Sequence, residues 1–213
     1  MNKNMVRTND LNFRYDRKGE MLHFPDIALN TGESLLILGK SGIGKTTLLH
    51  LLAGLLRPVS GKVMIGDTQI NSLSHSQLDT FRGQNMGLVF QKSHAIRSLN
   101  VFENLQARLF FSKKSINTSA INALLEQLNL SETKKNKVNK LSEGQLQRLA
   151  IAMGVIHGPQ LILADEPTSS LDDENCNSVL QLLQRQADKN RANLVVITHD
   201  MRIKPAFKNV ISL

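Results

Sequence analysis

The sequence contains one cysteine, Cys176, so neither an internal disulfide nor a cysteine-based metal site can form within the chain. That fits a reducing compartment. No run approaches the roughly 20 apolar residues that a membrane-spanning helix requires. Residues 1–10 lack the apolar segment of a secretory signal, so no leader is expected. Aromatic residues are scarce, at 4% of the chain, and do not interleave with the lysines at 113, 114, 134, 135, 137 and 140. A base-stacking surface for nucleic acid is therefore poorly supported. There is no internal repeat and no low-complexity tract.

What is present suits a globular protein. The 213 residues are 41% hydrophobic and 21% charged, enough for one sizeable core with a modest subdomain. The net charge of +8 favours acidic partners: a nucleotide, nucleic acid or an anionic lipid surface. A solvated basic face explains the lysine clusters better than a specific site does, and charge alone selects none of these partners.

The strongest signal is Gly39-Lys40-Ser41-Gly42-Ile43-Gly44-Lys45-Thr46, a complete phosphate-binding loop of the form G-x-x-x-x-G-K-[ST]. An apolar run, residues 35–38, precedes it. Thr47 and a leucine-rich segment follow, so the loop sits at a strand-to-helix turn. Gly39, Gly42 and Gly44 let the backbone curl, so that the N–H groups of Lys40, Ser41, Ile43 and their neighbours line one concavity. The helix start adds about half an elementary positive charge. Lys45 can reach β- and γ-phosphates, and the Thr46 hydroxyl can ligate Mg²⁺. The pattern predicts a nucleoside triphosphate site.

Short apolar runs between turn signals predict strands at 11–15, 23–28, 34–38, 61–65 and 86–90. Beyond Gln91 the period becomes helical. Val101, Phe102, Leu105 and Leu109 mark one stripe, and Ile121, Leu124, Leu125 and Leu128 another. Strands return at 161–164 and 194–198 with a helix over 174–186 between them, and an apolar run closes the chain at 210–213. The expected fold class is α/β: a P-loop NTPase parallel-sheet core, an antiparallel N-terminal β-subdomain and an inserted α-helical subdomain. Residues 1–213 then form one nucleotide-binding domain. The helical insert occupies 93–140, or about 93–157 when the following helix is included.

Leu161-Ile162-Leu163-Ala164-Asp165-Glu166 is an apolar strand ending in two acids. Beside the phosphate loop, Asp165 can hold Mg²⁺ and Glu166 can polarise an attacking water. In Leu141-Ser142-Glu143-Gly144-Gln145, which opens a helix, Ser142 with Gln145 also fits a capping box.

The order of phosphate loop, Gln91, Leu-Ser-x-Gly-Gln, Asp165-Glu166, Ser170-Leu171-Asp172 and His199 resembles the ATPase subunit of ABC transporters over residues 11–200. The resemblance implies roles position by position. Tyr15 stacks on adenine. Gln91 contacts Mg²⁺ and water and links the insert to the site. Glu166, His199, Gln91 and Lys45 form the catalytic set, with Mg²⁺ at Thr46, Gln91 and Asp165. The helix start bearing Ser142, Gly144 and Gln145 closes over the γ-phosphate bound by a second subunit, and Asp172 crosses that interface. ATP and Mg²⁺ are the implied cofactors. The implied assembly is a homodimer, or a pair with a related ATPase subunit, on integral membrane permease subunits. Its place is peripheral, at the cytoplasmic face of the inner or plasma membrane.

One departure is Glu143, where the family usually has glycine; a carboxylate there favours the helix start but repels a nearby γ-phosphate. The short chain and the stretch after Gln91 look most like the small ATPases of lipoprotein release, macrolide export and cell division. Two other classes compete. A soluble ABC-family ATPase acting on nucleic acid or ribosomes suits the basic charge. However, the chain has one phosphate loop rather than a tandem pair, and no nucleic acid is expected. A P-loop kinase would not need Leu-Ser-x-Gly-Gln or the histidine. Finally, residues 92–102 are expected to join core to insert, with Ala95, Ile96 and Leu99 lining a groove for a short helix of the membrane subunit.

Overall fold

Side chains alternate across a β-strand, and this period of two builds two cores on either side of one parallel sheet. The computed structural model describes residues 4–91, 94–169 and 171–213; Lys92, Ser93 and Ser170, named above, lie outside them. The parallel sheet has the order β10 (Asn209–Ser212), β4 (Ser34–Leu38), β9 (Asn193–Thr198), β8 (Leu161–Asp165), β7 (Met86–Val89). Leu36, Leu38, Ile162, Ala164, Leu194 and Val196 face one core. The intervening Leu35, Ile37, Leu161, Leu163, Val195 and Ile197 face the other. All are buried, as expected for strands covered on both faces.

The second core also takes in helix α1 (Lys45–Leu52) and an antiparallel sheet. That sheet runs β2 (Leu22–His23), β1 (Asn4–Phe13), β5 (Ser60–Ile65), β6 (Thr68–Gln69), with β3 (Ala28–Asn30) also on β1. The first core is completed by α3 (Val101–Phe111), α4 (Thr118–Gln127), α5 (Glu143–Val155) and α6 (Asp173–Asn190). The expected α/β class, with its parallel and antiparallel sheets, is present.

Two local readings are corrected, and one helix had not been read at all. The strand expected at 11–15 starts at Asn4 and ends at Phe13, leaving Tyr15 in the turn beyond. The strand expected at 23–28 is two pieces, because Pro25 interrupts it and cannot donate a ladder hydrogen bond. Helix α2 (His75–Asn85) carries no apolar stripe; Leu78 is its buried residue, so hydrophobic periodicity did not reveal it. Its start is legible otherwise, since Ser74 and Gln77 form a capping box.

Both helical stripes of the insert are buried as their period requires, except for Phe102, which is half-buried at the edge of the core. Asn104, almost fully buried on α3, fixes the segment before that helix: its side chain accepts from the Ile96 amide at 2.7 Å and donates to the carbonyls of Ile96 and Asn100 at 3.2 and 2.9 Å. One turn on, all three nitrogens of the Arg108 guanidinium are hydrogen-bonded. Nε donates to the Met153 carbonyl, Nη1 to the Gly83 carbonyl and Ser112 Oγ, and Nη2 to the Met86 carbonyl; His157 Nε2 lies 3.0 Å from both Nη2 and that same Met86 carbonyl. Arg108 thereby ties α3 to α5 and to the junction of α2 with β7.

His157 is buried beside this guanidinium, and its Nδ1 has no partner. Burial, and then the Arg108 charge, push its pKa down from 6.5 to about 3. In the unfolded chain it protonates near 6.5, so its contribution to stability is complete above that pH and declines as pH falls toward 3. The expected slope is about 1.4 kcal/mol per pH unit in this window. Denaturant titrations of the wild type and His157→Gln at pH 7 and pH 5 check this. The wild type should lose about 2 kcal/mol more than the variant between those pH values; equal losses would exclude His157 as the source.

Candidate functional site

In a parallel sheet the carboxyl ends of the strands open into one crevice. Here β4 runs into the phosphate loop, β8 ends at Asp165, β9 ends at Thr198 before His199, and β7 ends just before Gln91. The strand bearing Asp165 is not next to β4: β9 lies between them, so the end of β9 sits in the middle of the crevice.

The loop curls as its glycines allow. Gly44 caps α1 in the left-handed region, at φ 106°, and a Cβ there would lie 3.4 Å from the Phe24 ring. Lys45 is nearly buried, and its ammonium donates to the loop's own carbonyls at Gly39 and Lys40, at 2.8 and 3.0 Å. It also lies 3.8 Å from Glu166 Oε1. Thr46 is exposed, and its hydroxyl neighbours the Asp165 carboxylate. Burial raises the Asp165 pKa, against the Thr46 hydroxyl that lowers it.

Glu166 is the most constrained side chain of the site. It adopts φ 49°, a left-handed conformation that costs a non-glycine residue about 1 kcal/mol or more. Its carboxylate accepts from the Thr198 hydroxyl at 2.7 Å and the His199 amide at 3.1 Å, and pairs with His199 Nδ1 at 2.9 Å. Gln91 is exposed and donates to Ser169 Oγ at 3.1 Å, while Ser169 in turn donates to the Glu166 carbonyl at 3.2 Å. Gln91 is thus joined to the Glu166 turn.

A cleft of about 610 Å³ gathers Ser41, Gly42, Gly44, Lys45, Thr46, Thr47, Glu166 and Tyr15. Tyr15 is 67% exposed, yet it is held in place: its hydroxyl hydrogen-bonds Thr47 Oγ1 at 2.7 Å, and its ring meets Phe13 edge-on at 4.9 Å. An aromatic face fixed at the rim of a phosphate cradle is a ready base platform. Asp16, Gly19, Glu20 and Leu22 also line the cleft, which the sequence reading missed. Gly39, Lys40 and His199 face a smaller neighbouring cleft with Lys204.

Ile43, Gln91 and Asp165 line neither cleft, and the same is true of the predicted partner-facing residues Ser142, Gly144, Gln145 and Asp172. The capping box is formed, with Ser142 Oγ accepting from the Gln145 amide at 3.3 Å and Gln145 Oε1 accepting from Ser142 N–H at 3.0 Å. A Cβ on Gly144 would meet nothing within 4 Å, so packing within this chain does not demand glycine there. Asp172 caps α6 through Asn175, and those bonds lower its pKa. Glu143 is exposed in the first turn of α5.

Other groups were not singled out from sequence. Thr198 and Ser169 hold Glu166 directly. Buried Gln147, on the helix that Ser142 caps, donates to the Pro167 carbonyl at 3.0 Å, next to Glu166. No motif spacing marks these contacts, because they bridge segments distant in sequence. The groove expected at Ala95, Ile96 and Leu99 also needs correction. Ala95 packs against the first core and Ile96 is 42% exposed, while a groove of about 330 Å³ alongside is lined by Phe90, His94, Arg108, Phe111 and Met153. No helix among the described residues is long and apolar enough to cross a membrane.

Residues 22–169 match the family model described as ABC transporter. The chain is 36% identical over 197 residues to the lipoprotein-releasing system ATP-binding protein LolD of Legionella pneumophila (strain Paris), covering 91% of this chain and 86% of that protein. It is equally 36% identical to LolD of Treponema denticola over 209 residues, 95% of this chain and 92% of that one. Among solved structures it resembles the ATP-binding cassette MJ0796, in a dimeric post-hydrolysis state bound to ADP and Pi. The TM-score is 0.86 at 31% identity, over 98% of this chain and 94% of that one. It also resembles cbiO1 of Clostridium perfringens, part of the transporter complex cbiONQ, with a TM-score of 0.87 at 25% identity over 99% and 84% of the two chains.

Proposed function

Because the chain belongs to the ABC transporter family, as an ATP-binding, ATP-hydrolysing subunit, we propose that two copies close head to tail around two ATP molecules and drive separate membrane subunits. What supports this above all is the incompleteness of the cleft: it supplies a phosphate cradle, a lysine and a carboxylate on one side only. The α5 start, with its open Gly144 and N–H groups suited to an anion, lies outside it and is free to cover a partner's γ-phosphate. The dimeric, ADP- and phosphate-bound relative supports the same arrangement.

Tyr15 carries the adenine, and residues 39–47 the phosphates. Thr46 and Asp165 lie side by side and offer the hydroxyl-plus-carboxylate donor set that would suit Mg²⁺. A Mg²⁺ held there would supply positive charge against the developing phosphate charge. Glu166 takes the proton of the attacking water, with Thr198 and His199 orienting its carboxylate, while His199 and Gln91 meet the γ-phosphate side. Asp172 meets the partner across the interface.

The membrane subunits dock a short helix in the groove at Phe90, His94 and Phe111, holding the protein at the cytoplasmic face of the membrane. Phe111 is 69% exposed, so replacing it leaves the core intact. Phe111→Asp should preserve folding and ATP binding and abolish co-purification of the membrane subunits from detergent extracts. Recovery of those subunits at the wild-type level would place the docking site elsewhere. Ile96→Asp is the weaker probe, since Ile96 does not line the groove.

A further inference from the structure

The last backbone link between the β8 and β9 ends is the Glu166 amide on the Ile197 carbonyl, at 2.9 Å. Beyond it the two chains diverge, one into the turn carrying Leu171, Asp172 and Asp173, the other into the turn carrying His199. The side chain of Arg202 spans both. Arg202 lies in the short 3-10 segment Met201–Ala206 and turns back toward the crevice. Its Nε reaches both Asp200 oxygens, at 2.9 and 3.1 Å, and its Nη2 reaches Asp200 Oδ2 at 2.7 Å. The same Nη2 donates to the Leu171 carbonyl at 3.2 Å, and Nη1 pairs with Asp173.

Asp200 is the buried end of this fork. It also accepts from the Thr168 hydroxyl at 3.3 Å, and its own amide donates to Thr198 Oγ1 at 3.0 Å. Thr198 Oγ1 is the group that donates to Glu166 at 2.7 Å. Hydrogen bonds, joined through Asp200 itself, therefore link the carboxylate of Glu166 to the segment leading into α6, the helix that Asp172 caps. Arg202 bonds, and with them desolvation working the opposite way, leave the Asp200 carboxyl at about 2, so it is ionised throughout the working range.

We infer that Arg202 is a positioning residue that locks the Leu171–Asp173 turn to the His199 turn, so that the interface loop and the Glu166 carboxylate move together. The inference rests on the two-chain reading above, in which Asp172 meets a partner. An exposed ion pair alone contributes little. Here, however, the planar fork serves a buried carboxylate, a backbone carbonyl and a second carboxylate at once, a geometry that lysine cannot reproduce. Closure sensed at Asp172 would thereby reach Thr198 and Glu166, and each site of a dimer would respond to the other.

The test compares wild type, Arg202→Ala, Arg202→Lys and Asp172→Ala. The readouts are ATP turnover against ATP concentration, affinity for a fluorescent ATP analogue, and thermal unfolding. Arg202→Ala should lower kcat by about tenfold or more, as small misplacements of catalytic groups do. It should also bring the Hill coefficient toward one and leave analogue affinity within about twofold, because the phosphate cradle is untouched. Arg202→Lys keeps the charge opposite Asp200 and hence the fold, but should not restore kcat or the Hill coefficient; it carries the test if the alanine variant does not fold. Wild-type kcat and Hill coefficient in Arg202→Lys overturn the inference, since charge alone would then suffice. Asp172→Ala separates the two levels. If it matches the wild type in turnover and Hill coefficient, the two-chain reading fails and takes the inference with it. If it is impaired while the Arg202 variants are not, only the role of Arg202 fails.

Discussion

Glu166→Gln should slow ATP turnover by roughly 10²–10⁴-fold, the usual loss when a general base is removed, while nucleotide binding persists. The amide keeps the shape of the side chain and can still accept from Thr198, 2.7 Å away in the wild type. It cannot take a proton from water. Lys45 and the loop backbone, which would hold the phosphates, are unaltered. ATP should therefore trap the variant as a dimer, visible by size-exclusion chromatography, whereas the wild type would pass through closure and reopen. Turnover at the wild-type rate would show that Glu166 is not the base.

An equally large effect is expected from splitting the site between chains. Ser142→Arg places a bulky cation on the α5 start, and Lys45→Ala removes a charge-assisted phosphate contact. Each variant alone should be nearly inactive, because every site in its dimer lacks one half. Mixed together, they should recover activity: the Ser142→Arg chain contributes an intact phosphate loop and the Lys45→Ala chain an intact α5 start, giving at most one working site per dimer. ATPase assays on the separate and mixed proteins decide the matter. No recovery on mixing, with each chain folded, would mean that Ser142 acts only as the helix cap seen within its own chain.

Much of this arrangement is legible from residue order because its causes are local. A phosphate loop is a property of eight consecutive residues, and its glycines dictate the curl that aims the N–H groups. The buried strands announce themselves as continuous apolar runs, and α3 and α4 by their apolar stripes. Reading fails where the cause is not local. Helix α2 has one buried residue, so no period exposes it.

By itself, then, the order of residues determined the phosphate cradle, the two acids closing β8, the cap that starts α5 and the α/β class. Each follows from backbone geometry or side-chain period within one segment. Only the tertiary structure decided which of these parts meet. Hydrophobic burial drives strands together without naming their neighbours, so nothing in the runs foretold that β9 lies between β4 and β8. That order carries Thr198 and His199 to Glu166, sets Glu166 3.8 Å from Lys45 and threads Arg202 between two turns. It also leaves Ser142 and Asp172 outside the cleft their own chain forms, because a rigid sheet fixes where each strand end opens and the α5 and α6 starts project from elsewhere.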